Sequence, residues 1–188
     1  MKRLFFNKTL RILLFTNALI LIAAAMLGPI YALFVQKVGG DLLDASITGG
    51  VFALAAGITT LVAGRFADRK GMEKVILTAG YFLMGVSFLL YIVVDSTIEL
   101  LFVQVLLGFA EAIYSPAFDS LYTRHICLCK AGRQWGMWEA MNYLSAGIGA
   151  IIGGFAISYL GFNAVFALMA LLCFLSVIYI SLLPKKII

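Results

Sequence analysis

The sequence predicts an all-α membrane protein with six transmembrane helices. Three observations carry that prediction: an apolar composition, six long apolar runs, and charges confined to the ends of those runs. Of the 188 residues, 63% are hydrophobic and 12% are charged, too little polar surface for a soluble domain of this length. A run of about 18 or more apolar residues can cross a hydrocarbon core roughly 30 Å thick. Six such runs lie at about 11–36, 45–65, 75–94, 99–121, 134–159 and 163–183. Short connections separate them, so residues 1–188 read as a single six-helix domain. None shows the ten-residue alternation of a transmembrane barrel.

The first run follows a basic stretch, Met1–Arg11, and Ala23–Ala25 would suit a signal-peptide cleavage site. The apolar run continues to about Val35, however, which is spanning length. Pro29 falls late in this helix and Pro116 late in the fourth. Each removes a backbone donor and leaves carbonyls that need partners in a cavity or a neighbouring helix. The second helix ends in a glycine-rich charged turn, and the third ends before Asp95. After the fourth come His125, Cys127 and Cys129, without the second ligand pair that a zinc site needs. No metal is therefore expected, and the three cysteines give no disulfide framework. The fifth helix contains Gly149 and Gly153, at the spacing of a close helix–helix contact in lipid. The sixth ends before Lys185 and Lys186.

The net charge of +5 does not indicate nucleic acid, because the charges are segregated. Of the 14 basic residues, all but Lys37 fall before the first helix, between the second and third, between the fourth and fifth, or after the sixth. The opposite side carries Asp41, Asp44, Asp95 and Glu99. The positive-inside rule then puts both termini in the cytoplasm of a multi-pass inner-membrane protein.

A repeat is legible. Gly57, Gly64 and Gly71 recur as Gly147, Gly154 and Gly161, and Val75 as Val165, at a constant offset of 90 residues. Three helices separate the copies, so the halves run in opposite directions. That is the inverted 3+3 repeat used by secondary transporters.

After the second helix the chain reads Gly64-Arg65-Phe66-Ala67-Asp68-Arg69-Lys70-Gly71-Met72-Glu73-Lys74. This resembles the signature loop of the major facilitator superfamily, G-x-L-A-D-R-x-G-R-R/K, through Gly64, Ala67, Asp68, Arg69, Gly71 and the basic Lys74. Met72 replaces the usual Arg. In the fifth helix Gly149-Ala150-Ile151-Ile152-Gly153-Gly154 is similar to the family's G-P-x-x-G-G element, with Ala150 at the proline. Gln104, ahead of Gly108, stands where many members carry an Arg. The resemblance implies one N-terminal-type half of a transporter. It also implies a conformational latch built from Gly64, Asp68, Arg69, Gly71 and Lys74, with Asp119 as a partner for Arg69 or Lys74. Gly149, Gly153 and Gly154 are expected to serve helix packing.

Ionisable groups inside a membrane are costly and mark functional sites by default. Glu111, near the middle of the fourth helix, is the foremost candidate for a substrate or coupling site. Glu139 is the second, with Asn142 one turn along its face. Asn17, Gln104 and Tyr114 are further candidates for a polar cavity lining.

The resemblance implies a permease, a secondary transporter working in uptake or efflux, that moves a small-molecule solute through the lipid bilayer by alternating access. Members usually have twelve helices in two halves, and six cannot enclose the path. A parallel homodimer, pairing with a second half-transporter, or truncation of a longer gene would each account for the length. In the homodimer, Asp68 of one copy would face Gly132–Gln134 of the other. A non-transporting membrane interaction or assembly protein is the alternative. The chain holds no H-E-x-x-H pair and no G-x-S-x-G elbow, so neither enzymatic activity nor a cofactor is expected.

Overall fold

The computed structural model describes residues 8–67 and 71–182. Among these, all regular structure is helical: α1 (Lys8–Leu27), α2 (Tyr31–Lys37), α3 (Leu42–Ala67), α4 (Glu73–Leu90), α5 (Thr97–His125) and α6 (Ala131–Ser181), with 3-10 turns at Gly28–Ile30, Tyr91–Val93 and Leu128–Lys130. Pro29 sits in the first of these turns, where its missing N–H interrupts α1 and α2 without ending the span. Pro116 is carried inside α5.

Local chemistry explains the helix starts at one end of the bundle. Before α3, Asp41 and Asp44 exchange bonds, each carboxylate accepting the other's backbone N–H at 3.0 and 2.9 Å. At α5, the Ser96 hydroxyl accepts the Glu99 N–H, and the Glu99 carboxylate accepts the N–H of Asp95. Both are capping pairs at three-residue spacing, which satisfy donors that the first helical turn leaves free.

The 51 residues of α6 exceed what one crossing needs. Gly161 breaks them, with φ 79° and ψ 174°, a conformation essentially confined to glycine. The packing shows that the chain reverses there. Gly149 lies against Ile22, and Gly153 against Met26. Further on, Phe162 and Phe166 pack against the Phe34 ring, tilted and edge-on respectively, and Ser176 then donates to the Thr16 carbonyl at 3.0 Å. The limbs 131–160 and 162–181 therefore run in opposite directions along the first span.

The bundle interleaves its halves. The first span packs on both limbs of α6, while α5 packs on α3 and α4. Lipid offers no hydrophobic drive between helices, so close approach depends on small residues. Gly149 and Gly153 abut the Ile22 and Met26 carbonyls, and Gly108 abuts that of Phe52. Only 11% of the apolar stretch of α3 is buried, against 44% for α4 and α5. That places α3 on the outside.

The two ends differ chemically. Lys37, Asp95 and Asn163 line one small cavity. At the other end Arg124 pairs with Glu73, and Lys74 donates to the Ser181 carbonyl. Cys127 and Cys129, with Cα atoms 5.3 Å apart beside the Leu128–Lys130 turn, are joined as a disulfide. This corrects the expectation that the cysteines do not pair: the turn brings two near neighbours in the chain to bonding range.

Candidate functional site

A partly open cavity of about 290 Å³ lies where α1, α2, α3, α4 and α5 meet. Its wall is largely apolar, with Leu27, Phe52, Met84, Phe88 and Leu107 among the residues that form it. Two of its polar lining residues, Tyr31 and Gln104, belong to a directional chain of hydrogen bonds. Tyr91 donates to Gln104 Oε1, and Gln104 Nε2 donates to the Tyr31 hydroxyl. Tyr31 donates to Thr48 Oγ1, which donates to the Asp44 carbonyl. The chain ties four helical segments together at this end.

Glu111 enters the same cavity seven residues beyond Gln104, which is two turns along one face of α5. Among the described lining residues it is the one acid, and none is basic. No described side chain is hydrogen bonded to its carboxylate or paired with it. Gln104 and Glu111 are thus the two sequence candidates that the fold brings together.

The other four lie elsewhere. Asn17 is buried between α1 and α4, its Oδ1 accepting the Tyr81 hydroxyl at 3.2 Å. Tyr114 is buried against Gly80 and packs at a tilt on the Tyr81 ring, with centroids 5.0 Å apart. Both are core residues on a face rotated away from the cavity. Glu139 is exposed on the 131–160 limb and Asn142 half-buried there, and neither lines the cavity. Tyr31, Thr48 and Tyr91 were not anticipated. Their only signal in the sequence was a hydroxyl within an apolar run, which many membrane helices share.

At the basic end, Asp68 and Arg69 of the signature loop lie outside the described residues. Gly71 holds the turn with φ 89°, whereas Gly64 has open space around it. Lys74 reaches the Ser181 carbonyl rather than Asp119. The acid engaged here is Glu73, which is buried, pairs with Arg124 and accepts the Gly71 N–H at 2.7 Å. It stands one residue before Lys74, the basic residue matched to the end of the signature, so the motif gave no reason to single it out. Of the packing glycines, Gly149 and Gly153 are in tight contact. Gly154 is not, because it faces away with nothing within 4 Å of where a Cβ would sit.

The profile of the Major Facilitator Superfamily matches residues 13–186. A multidrug resistance protein, MdtG, of Proteus mirabilis is 31% identical over 181 residues, covering 92% of this chain and 44% of the relative. An uncharacterized MFS-type transporter of Methanocaldococcus jannaschii is 27% identical, over 79% of this chain and 38% of its own. MdtG of Erwinia billingiae is 26% identical, over 92% of this chain and 43% of its own. The chain spans less than half the length of these relatives.

Proposed function

Because the chain belongs to the major facilitator superfamily, we propose that it forms one half of a membrane permease that moves a small solute by alternating access. The observation that carries this reading is the cavity that gathers Glu111 and Gln104 beside five helical segments. A carboxylate within a spanning helix is too costly to keep without a role in binding or coupling. The multidrug resistance names of the Proteus and Erwinia relatives support efflux as the direction.

Residues 1–188 act as a single domain in this proposal, with the basic end and both termini cytoplasmic under the positive-inside rule. The second half is supplied by a parallel homodimer, by another half-transporter, or by chain beyond this sequence. Two outward faces suit such a partner: that of α3, with Leu54, Ile58 and Leu61 exposed, and that of the 131–160 limb, with Tyr143, Ile151 and Phe155 exposed. In the homodimer, Asp68 of one copy would face Gly132–Gln134 of the other. The same exposed faces favour the second reading, a membrane assembly protein without transport.

Solute flux into proteoliposomes, measured for the wild-type chain and for Glu111→Gln, separates the two. Flux that depends on Glu111 supports the permease. No flux with the chain and its partner half present supports the assembly protein. Native mass measured from nanodiscs tells which partner supplies the second half.

A further inference from the structure

We infer that Cys127 and Cys129 form a thiol–disulfide exchange site, where an anionic low-molecular-weight disulfide oxidises the pair and the corresponding thiol reduces it. Its cytoplasmic setting rests on the orientation given with the permease reading above.

Three features of the turn carry it. First, the bridge does little for stability. Its cysteines are two positions apart, whereas a disulfide stabilises mainly by closing a long loop of the unfolded chain. Second, the pair is open to reagents. Cys127, Leu128 and Cys129 are all exposed, while Cys173 is buried. Arg124, His125, Lys130 and Arg133 flank the turn, and a basic surface draws an anionic reagent. Third, the pair lies at the basic end of the bundle, which the positive-inside rule assigns to the cytoplasm. Thiols are kept reduced there, and the disulfides that do form are chiefly transient, catalytic or redox-sensing.

The turn is also tied to its surroundings. The Cys127 N–H donates to Gln134 Oε1 at 2.7 Å, and the carbonyl of the buried Gln134 accepts the Tyr122 hydroxyl. Trp135 packs against the Tyr122 ring with centroids 5.1 Å apart. The oxidation state of the pair is thereby felt in the first turn of the 131–160 limb. In the exchange, one cysteine thiolate attacks the reagent disulfide, forming a mixed disulfide and releasing one reagent thiol. The other cysteine then displaces the second. Two hydrogens pass from the pair to the reagent, so the pair is oxidised and one reagent disulfide becomes two thiols.

The test uses the chain in nanodiscs, which expose both faces, equilibrated in mixtures of reduced and oxidised glutathione. Acid quenching, alkylation and peptide mass then read the state of each cysteine. The pair is expected to pass from disulfide to dithiol over about a hundredfold change in the ratio of squared reduced to oxidised glutathione, the width of one two-electron couple. Cys173 should stay unmodified. Cys129→Ser should stop at the mixed disulfide, with one glutathione on Cys127. Amide exchange over residues 132–138 should be several-fold faster in the reduced chain, and the double variant Cys127→Ser, Cys129→Ser should lose that dependence. A pair that stays in one state throughout overturns the proposal. So does a Cys129→Ser chain without the adduct, or amide exchange indifferent to oxidation state.

Failure of this inference is distinguishable from failure of the permease reading, because neither flux nor Glu111 enters the assay. Exchange in nanodiscs with no flux in the assembled transporter sinks the permease and leaves the site. A membrane-impermeant maleimide that reaches the reduced pair from outside intact cells sinks its cytoplasmic setting.

Discussion

Two adjacent glycines give the sharpest test of the packing. A methyl group at Gly153 would lie 2.5 Å from the Met26 carbonyl oxygen and 2.8 Å from the Met26 Cα. Optimal carbon contacts are about 3.5–4.0 Å, so α1 and the 131–160 limb would have to part by roughly 1 Å. Backbone atoms cannot swing aside as a side chain can. Overpacking of this kind costs about 1–3 kcal/mol. A methyl at Gly154 meets nothing within 4 Å, and replacing a mid-helix glycine by alanine favours the helix by roughly 0.5–1 kcal/mol. Gly153→Ala and Gly154→Ala should therefore shift stability in opposite directions. Thermal unfolding in detergent micelles, followed by the fluorescence of Trp135 and Trp138 on the same limb, reads the difference. For a chain of this size each kcal/mol moves Tm by roughly 2–4 °C, so Gly153→Ala should melt several degrees below Gly154→Ala. Equal melting of the two variants would refute the contact with Met26.

Three further outcomes follow from the same structure. Arg124→Ala should cost only about 0.5–1 kcal/mol, because the Arg124 side chain is 38% exposed and solvent screens the pair. Glu73→Ala should cost more, since the Gly71 N–H loses its acceptor too; chemical denaturation that ranks Arg124→Ala as the worse variant would contradict the assignment. Tyr31→Phe removes the link between Gln104 and Thr48, two bonds worth about 0.6 kcal/mol each between membrane helices. Faster amide exchange in the first turns of α3 is the expected readout, and unchanged exchange would count against the chain. Gly161→Ala forces a β-carbon into a glycine-only conformation at about 1–3 kcal/mol. Engineered cysteines at Thr16 and Ser176 should then cross-link less efficiently than in the parent, and undiminished cross-linking would argue against a turn fixed by Gly161.

Hydropathy and small residues made the architecture legible, while rotation of each helix within the bundle was not. Apolar length marked the spans, and the seven-residue glycine spacing marked the repeat. In water a helix announces its buried face through polar residues on the other side. In lipid that contrast disappears, because outward faces such as Leu54, Ile58 and Leu61 are as apolar as the core. Hence Asn17 and Tyr114 looked equivalent to Gln104 and Glu111 as polar interruptions, yet two point into the core and two into the cavity. The Gly153–Gly154 pair shows the same limit at its smallest scale. One residue, about 100° of rotation on a helix, separates a backbone contact from open space.

The repeat explains why the site lies where it does. Gly71 and Gly161 are 90 residues apart and both hold positive φ, at 89° and 79°. They sit at opposite ends of the bundle. Gly71 is beside the Glu73–Arg124 pair, and Gly161 precedes Phe162, whose ring lies under the Lys37 ammonium. An odd number of spans between equivalent turns requires that inversion. The packing exchanges accordingly: the first span lies on both limbs of α6, and its counterpart α5 lies on α3 and α4. Each leading helix is thus held by the other copy's hairpin, which centres α1 and α5 and leaves α3 and the 131–160 limb outermost. Glu111, on α5, borders the cavity with residues of α1, α3 and α4, whereas the outward-facing residues of α3 and of the 131–160 limb meet whatever surrounds the bundle. Glu111 belongs to the first group and Glu139 to the second, so the same inversion that pairs the turn glycines also separates the two carboxylates that the sequence had set side by side.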